Sequence, residues 1–129
     1  MAHVLVVEDD AKLAGLLSRA LDLAGHRTAV AGSGDQALWA FQSAPFDALV
    51  LDVMIPHPSG IELCRHFRAH GFRRPIVVTS ARTGNDHRDT ALRAGADRFL
   101  PKPFALAELT AVLDALLATE RERVGLPDA

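Results

Sequence analysis

Short apolar runs alternate along the chain with longer segments of helical spacing. The short runs occupy 3–7 (HVLVV), 27–31 (RTAVA), 48–51 (ALVL), 76–79 (IVVT) and 98–100 (RFL). The first, third and fourth are apolar without alternation, the pattern of strands covered on both faces. Between them, 12–24 places Leu13, Leu16, Leu17, Ala20 and Leu21 on one stripe. Leu106, Leu109, Leu113, Leu116 and Leu117 form a second stripe near the end. Asp10 stands where the first helix needs an N-cap. Ser33 with Gln36, and Ser59 with Glu62, read as capping boxes opening the second and third helices. Gly25, Gly71 and Gly95 each follow a helical segment, where a left-handed residue is wanted. Five strands alternating with five helices predict an α/β domain, a doubly wound parallel sheet with helices on both faces.

Length and composition narrow this further. The chain has 129 residues, 49% of them hydrophobic, enough for one core. Residues 1–118 read as one domain. The stretch 119–129 (TERERVGLPDA) reads as a polar tail, frayed helix or the start of a linker. With 14 Lys+Arg against 16 Asp+Glu the net charge is −2, which argues against a polybasic nucleic-acid module and against an acidic disordered tail. Cys64 is the single cysteine, so no internal disulfide forms and a reducing compartment fits. No apolar run approaches the roughly 20 residues of a membrane span, and the start lacks the features of a signal peptide. The expectation is a cytoplasmic protein.

In a doubly wound sheet, ligands bind beyond the carboxyl ends of the strands. The first strand runs into Glu8, Asp9 and Asp10, the third into Asp52, the fourth into Thr79 and Ser80, and the fifth into Pro101, Lys102 and Pro103. Carboxylates, a hydroxyl and a lysine should therefore meet on one rim. Crowded carboxylates hold their charge more easily with a cation between them. Oxygen donors without His or Cys suit a hard ion, and Mg²⁺ keeps waters that phosphate oxygens can replace. A carboxylate held there can attack phosphorus, with the lysine and hydroxyl neutralising the phosphoryl oxygens. No glycine-rich phosphate loop follows the first strand, so a nucleotide is not the obvious phosphate source.

The pattern VLVVEDD … DALVLDVMIPHPSGIEL … PIVVTSA … AGADRFLPKPF resembles the response-regulator receiver domains of two-component signalling, over nearly the whole chain. The resemblance implies the flavodoxin-like receiver fold. It implies that Asp52 accepts a phosphoryl group from a phosphohistidine on a sensor histidine kinase. Asp9 would bind Mg²⁺ directly, Glu8 would act beside it through water, and the backbone carbonyl of Met54 would be the third protein ligand. Lys102 would contact the phosphoryl group, with a cis bond to Pro103. Ser80, ahead of Ala81, would turn inward to it as the switch hydroxyl. Phe99 would swing with Ser80, and Pro56 and Gly60 would carry the chain into the third helix. The face of the fourth helix, fifth strand and fifth helix would be the element that switches and the site of any homodimer. The tail with Pro127 and the long last helix favour, as the output, a fused DNA-binding effector beyond this chain. A stand-alone regulator acting by protein contact is the alternative. Neither direct nucleic-acid binding by this domain nor a membrane role is expected.

Several features depart from the common pattern of these relatives. Position 99 is Phe where many carry Tyr, Ser80 replaces the commoner Thr, and the loop after Asp52 carries His57 and Pro58. Asp97 is followed by Arg98 where paired acids often stand, and the last helix has no arginine before Arg121. An aspartyl-nucleophile phosphatase would place an acid two residues after the nucleophile, where this chain has Met54, so turnover as an enzyme is not expected. His66 and His70, four apart, read as surface rather than as a metal pair. Arg65, Arg68, Arg73 and Arg74 read as a solvated face complementing a helix C-terminus. Cys64 reads as a buried thiol and Trp39 as a packing residue. Arg82 borders the expected pocket, either controlling water access to it or facing solvent.

Overall fold

The computed structural model describes residues 2–82 and 84–124, the last four as backbone. Strands β1 (His3–Val7), β2 (Arg27–Ala31), β3 (Ala48–Asp52), β4 (Ile76–Ser80) and β5 (Arg98–Pro101) alternate with helices α1 (Ala11–Leu23), α2 (Gly34–Ser43), α3 (Gly60–Ala69), α4 (Asn85–Arg93) and α5 (Leu106–Val124). The strands form one parallel sheet in the order β2-β1-β3-β4-β5. The order reverses between β1 and β3, and a crevice opens at the carboxyl ends of those two strands.

Burial follows the apolar pattern. Every residue of β3 and β4 is buried, whereas β2, at the sheet edge, is covered only in part. The sheet separates two apolar layers. Leu49, Leu51, Leu63, Phe67, Ile76 and Val78 belong to the layer under α2, α3 and α4. Val4, Val50, Val77, Leu109 and Leu113 belong to the layer under α1 and α5. Alternate residues of a single strand therefore feed opposite cores.

The helix ends mostly match expectation. Asp10 accepts from the Lys12 and Leu13 amides at 3.0 and 3.1 Å. Ser59 and Glu62 make a complete capping box. At α2 the box is incomplete: Ser33 accepts from the Gln36 amide, but the Gln36 side chain accepts from Gly32 instead of Ser33. Gly25, Gly71 and Gly95 follow their helices with φ of 94°, 93° and 114°.

Four side-chain readings are corrected. Trp39 is 72% exposed, because the inner face of α2 is filled by Ala37 with Leu38 and Phe41 beside it. Leu16 also points outward, 46% exposed. Arg68 is not a solvated cation. Its Nε donates to the Gly95 carbonyl, Nη1 to those of Phe72 and Arg74, and Nη2 to Asp97, so one guanidinium joins the end of α3 to the turns before β4 and β5. Arg74 lies 3.2 Å from Asp47 and 2.9 Å from buried Glu120 of α5. Helix α5 itself runs past residue 118 to Val124, while 125–129, with Pro127, lie outside the described residues.

Cys64 is fully buried and its Sγ donates to the Ala94 carbonyl at 3.4 Å. Burial pushes its thiol up to about 11. Folding therefore favours the protonated thiol, and this contribution is complete below pH 9 and lost as pH rises through 11. The loss amounts to about 3 kcal/mol at about 1.4 kcal/mol per unit. The stability difference between the wild type and Cys64→Ala, measured by urea unfolding, should shrink across that window. A difference that stays constant from pH 8 to 11 would contradict it. A thiol reagent at pH 8 should label Cys64 only after unfolding.

Candidate functional site

The site is assembled at the crevice by the ends of β1, β3, β4 and β5. Residues that follow β1 and end β3 are brought side by side by the reversal of strand order. Glu8 continues the ladder, its amide donating to the Ala31 carbonyl at 3.0 Å, and is buried to 3% exposure. Asp9 follows it and is exposed. Asp52 is the last residue of β3, also 3% exposed, and Ser80 the last of β4, 1% exposed. The Lys102 amide donates to the Ser80 carbonyl, which holds the turn after β5 against the end of β4. The Lys102–Pro103 bond is cis, as expected, and so is His57–Pro58.

The Lys102 ammonium lies 2.7 Å from Glu8 Oε1 and 3.2 Å from Asp52 Oδ2. Asp52 Oδ1 accepts from the Met54 amide at 3.2 Å, and Glu8 Oε2 from the Asp10 amide at 3.1 Å. Burial raises the Glu8 carboxyl above its ordinary value against the opposing pull of Lys102 and the Asp10 amide, and the charge of Asp52 adds to the rise. For Lys102, burial works downward, but the bond to Glu8 and the Asp52 charge outweigh it and the ammonium is held above its ordinary value. One cation thus offsets two buried carboxylates while Asp9 adds a third charge at the mouth.

Oxygens of Glu8, Asp9 and Asp52 come within 4.8 Å of one another. This all-carboxylate set, with neither His nor Cys, fits a hard divalent cation such as Mg²⁺, and the exposure of Asp9 leaves one side open to water. Among the described residues no other three acidic, His or Cys side chains gather in this way. His66 and His70 stack with ring centres 4.1 Å apart, His70 Nδ1 sits 2.8 Å from the His66 carbonyl, and both are exposed, in line with the surface reading.

The Ser80 hydroxyl accepts from the Arg82 amide at 3.0 Å, and the Arg82 side chain is exposed. Phe99 is partly buried against the layer under α3 and α4. Met54 is 46% exposed, and its amide is the group bonded to Asp52. Sequence reasoning placed Lys102 opposite Asp52 and missed that its shorter contact is with Glu8. An acid that runs on from a strand without a break, like Glu8 after Val7, is the signal that it stays buried in the ladder.

The chain spans about half the length of the curated relatives it matches. It is 46% identical over 115 residues to the response regulator MprA of Mycobacterium ulcerans, covering 89% of this chain and 50% of that one. The receiver domain of the Francisella response regulator 1452 superposes with a TM-score of 0.89 at 30% identity, over 93% of this chain and 99% of that one. The BeF3-activated N-terminal receiver domain of Klebsiella pneumoniae RstA superposes at 0.84 and 28% identity, over 89% and 97% of the two chains. The model of the response regulator receiver domain matches residues 4–114. With the parallel sheet and its acidic crevice, these likenesses agree on one assignment: the chain belongs to the response regulator receiver domains of two-component signalling.

Proposed function

We propose that this chain is a phospho-acceptor switch in which Asp52 takes a phosphoryl group from a sensor histidine kinase. The observation that carries the reading is the Lys102 ammonium between Glu8 and Asp52, with Asp9 at the mouth of the same crevice. Asp9, Asp52 and the Met54 carbonyl, with Glu8 beside them, would hold Mg²⁺, which when bound neutralises charge that builds on the phosphoryl oxygens. An Asp52 carboxylate oxygen attacks phosphorus. The bond from phosphorus to the donor imidazole nitrogen breaks, its electron pair stays on that nitrogen, and an acyl phosphate is left on Asp52. Lys102, already within reach of Asp52, supplies positive charge to the transferred group. Water later attacks the acyl phosphate and releases inorganic phosphate.

The new charge and acceptor oxygens arrive beside Ser80. Its hydroxyl would leave the Arg82 amide for the phosphoryl group, and Phe99 would follow into the vacated space. The face of α4, β5 and α5 would change as a result and control the output. Relatives about twice as long favour a fused effector, which we read as a DNA-binding one. The same face would carry a homodimer, and the reading places the protein in the cytoplasm. The chain would not act as a turnover enzyme, since Met54 stands where a leaving-group acid would be. In the described residues no helix is long and apolar enough to cross a membrane.

Incubation with a small-molecule phosphodonor and Mg²⁺ should add one phosphoryl mass per chain, and Asp52→Asn should abolish it. An Asp52→Asn variant that gains the mass as fast as the wild type would sink the assignment. Sustained release of nitrophenol from p-nitrophenyl phosphate would favour a hydrolase. Ser80→Ala should accept the group yet leave Phe99 unmoved, as read by aromatic NMR shifts.

A further inference from the structure

Residues 53–59 follow Asp52 and include Met54, whose carbonyl the proposed function assigns to the metal. Two of their fastenings belong to β4 and α3. The Val53 amide donates to the Thr79 carbonyl at 2.9 Å, and the Gly60 amide to the Val53 carbonyl at 3.2 Å. A third comes from α2, an element with no side chain in the site. The Gly34 amide, first in α2, donates to the Pro56 carbonyl at 3.1 Å. It is one of the amides a helix N-terminus leaves without an internal partner. The Ser33 side chain does not take it, because that oxygen caps Gln36.

Gly34 also lacks a side chain for a reason of space. A Cβ there would stand 2.1 Å from the Pro58 carbonyl oxygen and 2.5 Å from the Pro58 nitrogen and Cδ. Most of that obstruction is backbone, so it cannot swing aside. The residue is buried and its φ is not positive, so the helix itself does not call for glycine. In a helix free of the loop, alanine would be the better residue. The glycine is explained by the loop seated on it.

We propose that the N-terminus of α2 is a clamp on the loop after the phospho-acceptor, with Gly34 the positioning residue that fixes where the Met54 carbonyl meets the metal. The proposal rests on the Mg²⁺ site described above. Gly34 touches neither the ion nor the phosphoryl group and acts through the loop from Pro56 to Met54. A side chain at 34 would push Pro58 away, break the Gly34–Pro56 bond and move the carbonyl. Partners that orient metal ligands in this indirect way typically change affinity by about 10–100-fold.

The test titrates Mg²⁺ into the purified chain by calorimetry and follows phosphorylation by a small-molecule phosphodonor across Mg²⁺ concentrations. Gly34→Ala should bind Mg²⁺ about tenfold more weakly. Its phosphorylation rate at saturating Mg²⁺ should return close to that of the wild type, so the half-saturating Mg²⁺ concentration moves and the maximal rate does not. Gly15→Ala, where a Cβ meets nothing within 4 Å, should leave both unchanged. Should Gly34→Ala fail to fold, Pro58→Gly decides the matter by loosening the same contact without adding an atom. It should weaken Mg²⁺ several-fold while the protein still unfolds cooperatively. Wild-type Mg²⁺ affinity in a folded Gly34→Ala, or in Pro58→Gly, would overturn the clamp. A wild type that binds no Mg²⁺ and takes no phosphoryl group would instead overturn the site on which it rests.

Discussion

Gly60→Ala is expected to remove about 3 kcal/mol of stability, the upper end of what overpacking a well-filled interior costs. A Cβ at Gly60 would stand 2.2 Å from the Asp52 carbonyl oxygen, 2.7 Å from its carbon and 2.9 Å from the Val53 Cα. All three are main-chain atoms of the strand end that presents Asp52, so relief means moving β3 or tilting α3. The Gly60 amide also donates to the Val53 carbonyl, and a shift would break that bond too. Urea unfolding measures the loss. Gly15→Ala in α1 supplies the contrast, because open space there leaves only the helix preference for alanine, a gain of about 0.5–1 kcal/mol. Equal denaturation midpoints for wild type and Gly60→Ala would show that the close approach is not a constraint. Phosphorylation of Asp52 should fall along with stability, since the same atoms are displaced.

Lys102→Ala should be comparably costly in the absence of divalent cation. Glu8 and Asp52 have side chains 2% and 3% exposed, and the ammonium is the cation that faces both. Removing one partner of a buried pair costs about 3–5 kcal/mol. With the Lys102 side chain 19% exposed, solvent lowers this toward about 3 kcal/mol. Mg²⁺ should restore much of it, because an ion that binds only the folded state stabilises it by mass action. The thermal midpoint of the variant should therefore rise more with Mg²⁺ than that of the wild type. Combining Lys102→Ala with Glu8→Gln should cost less than the sum of the two, since each removes a partner of the other. Strict additivity, or a variant as stable as the wild type without Mg²⁺, would mean that water rather than Lys102 neutralises the crevice.

Much of this arrangement was legible in the sequence. The limits of β1 and β2 coincide with the apolar runs at 3–7 and 27–31. Strands β3, β4 and β5 each run one residue further than their runs, to Asp52, Ser80 and Pro101, where the ladder still pairs Asp52 with Thr79 and Ser80 with Pro101. The site was legible because chain order alone sends the ends of β1 and β3 to one crevice. Which partner each long side chain chooses was not. Lys102 reaches Glu8 more closely than Asp52, and Arg68 spends its donors on carbonyls that come from two separate turns. Such pairings depend on distances between elements, which helical or strand periodicity does not carry. Trp39 escaped for a related reason: α2 is short, and Ala37 with Leu38 and Phe41 already fills its inner face. Gly34 stood in the sequence only as a position inside the Ser33–Gln36 capping box, and only the apposed Pro58 shows what it accommodates.

The division of the interior by the sheet bears on how a signal would travel. Phe99 and Leu100 are neighbours in β5, yet Phe99 packs with the layer of α3 and α4 and Leu100 with that of α1 and α5. A rotation of Phe99 would therefore reach α4 through the layer they share. For α5, on the reverse of the sheet, the news would have to pass through the strand as a displacement of its backbone, which would make β5 the hinge-pin between two halves of the proposed output surface.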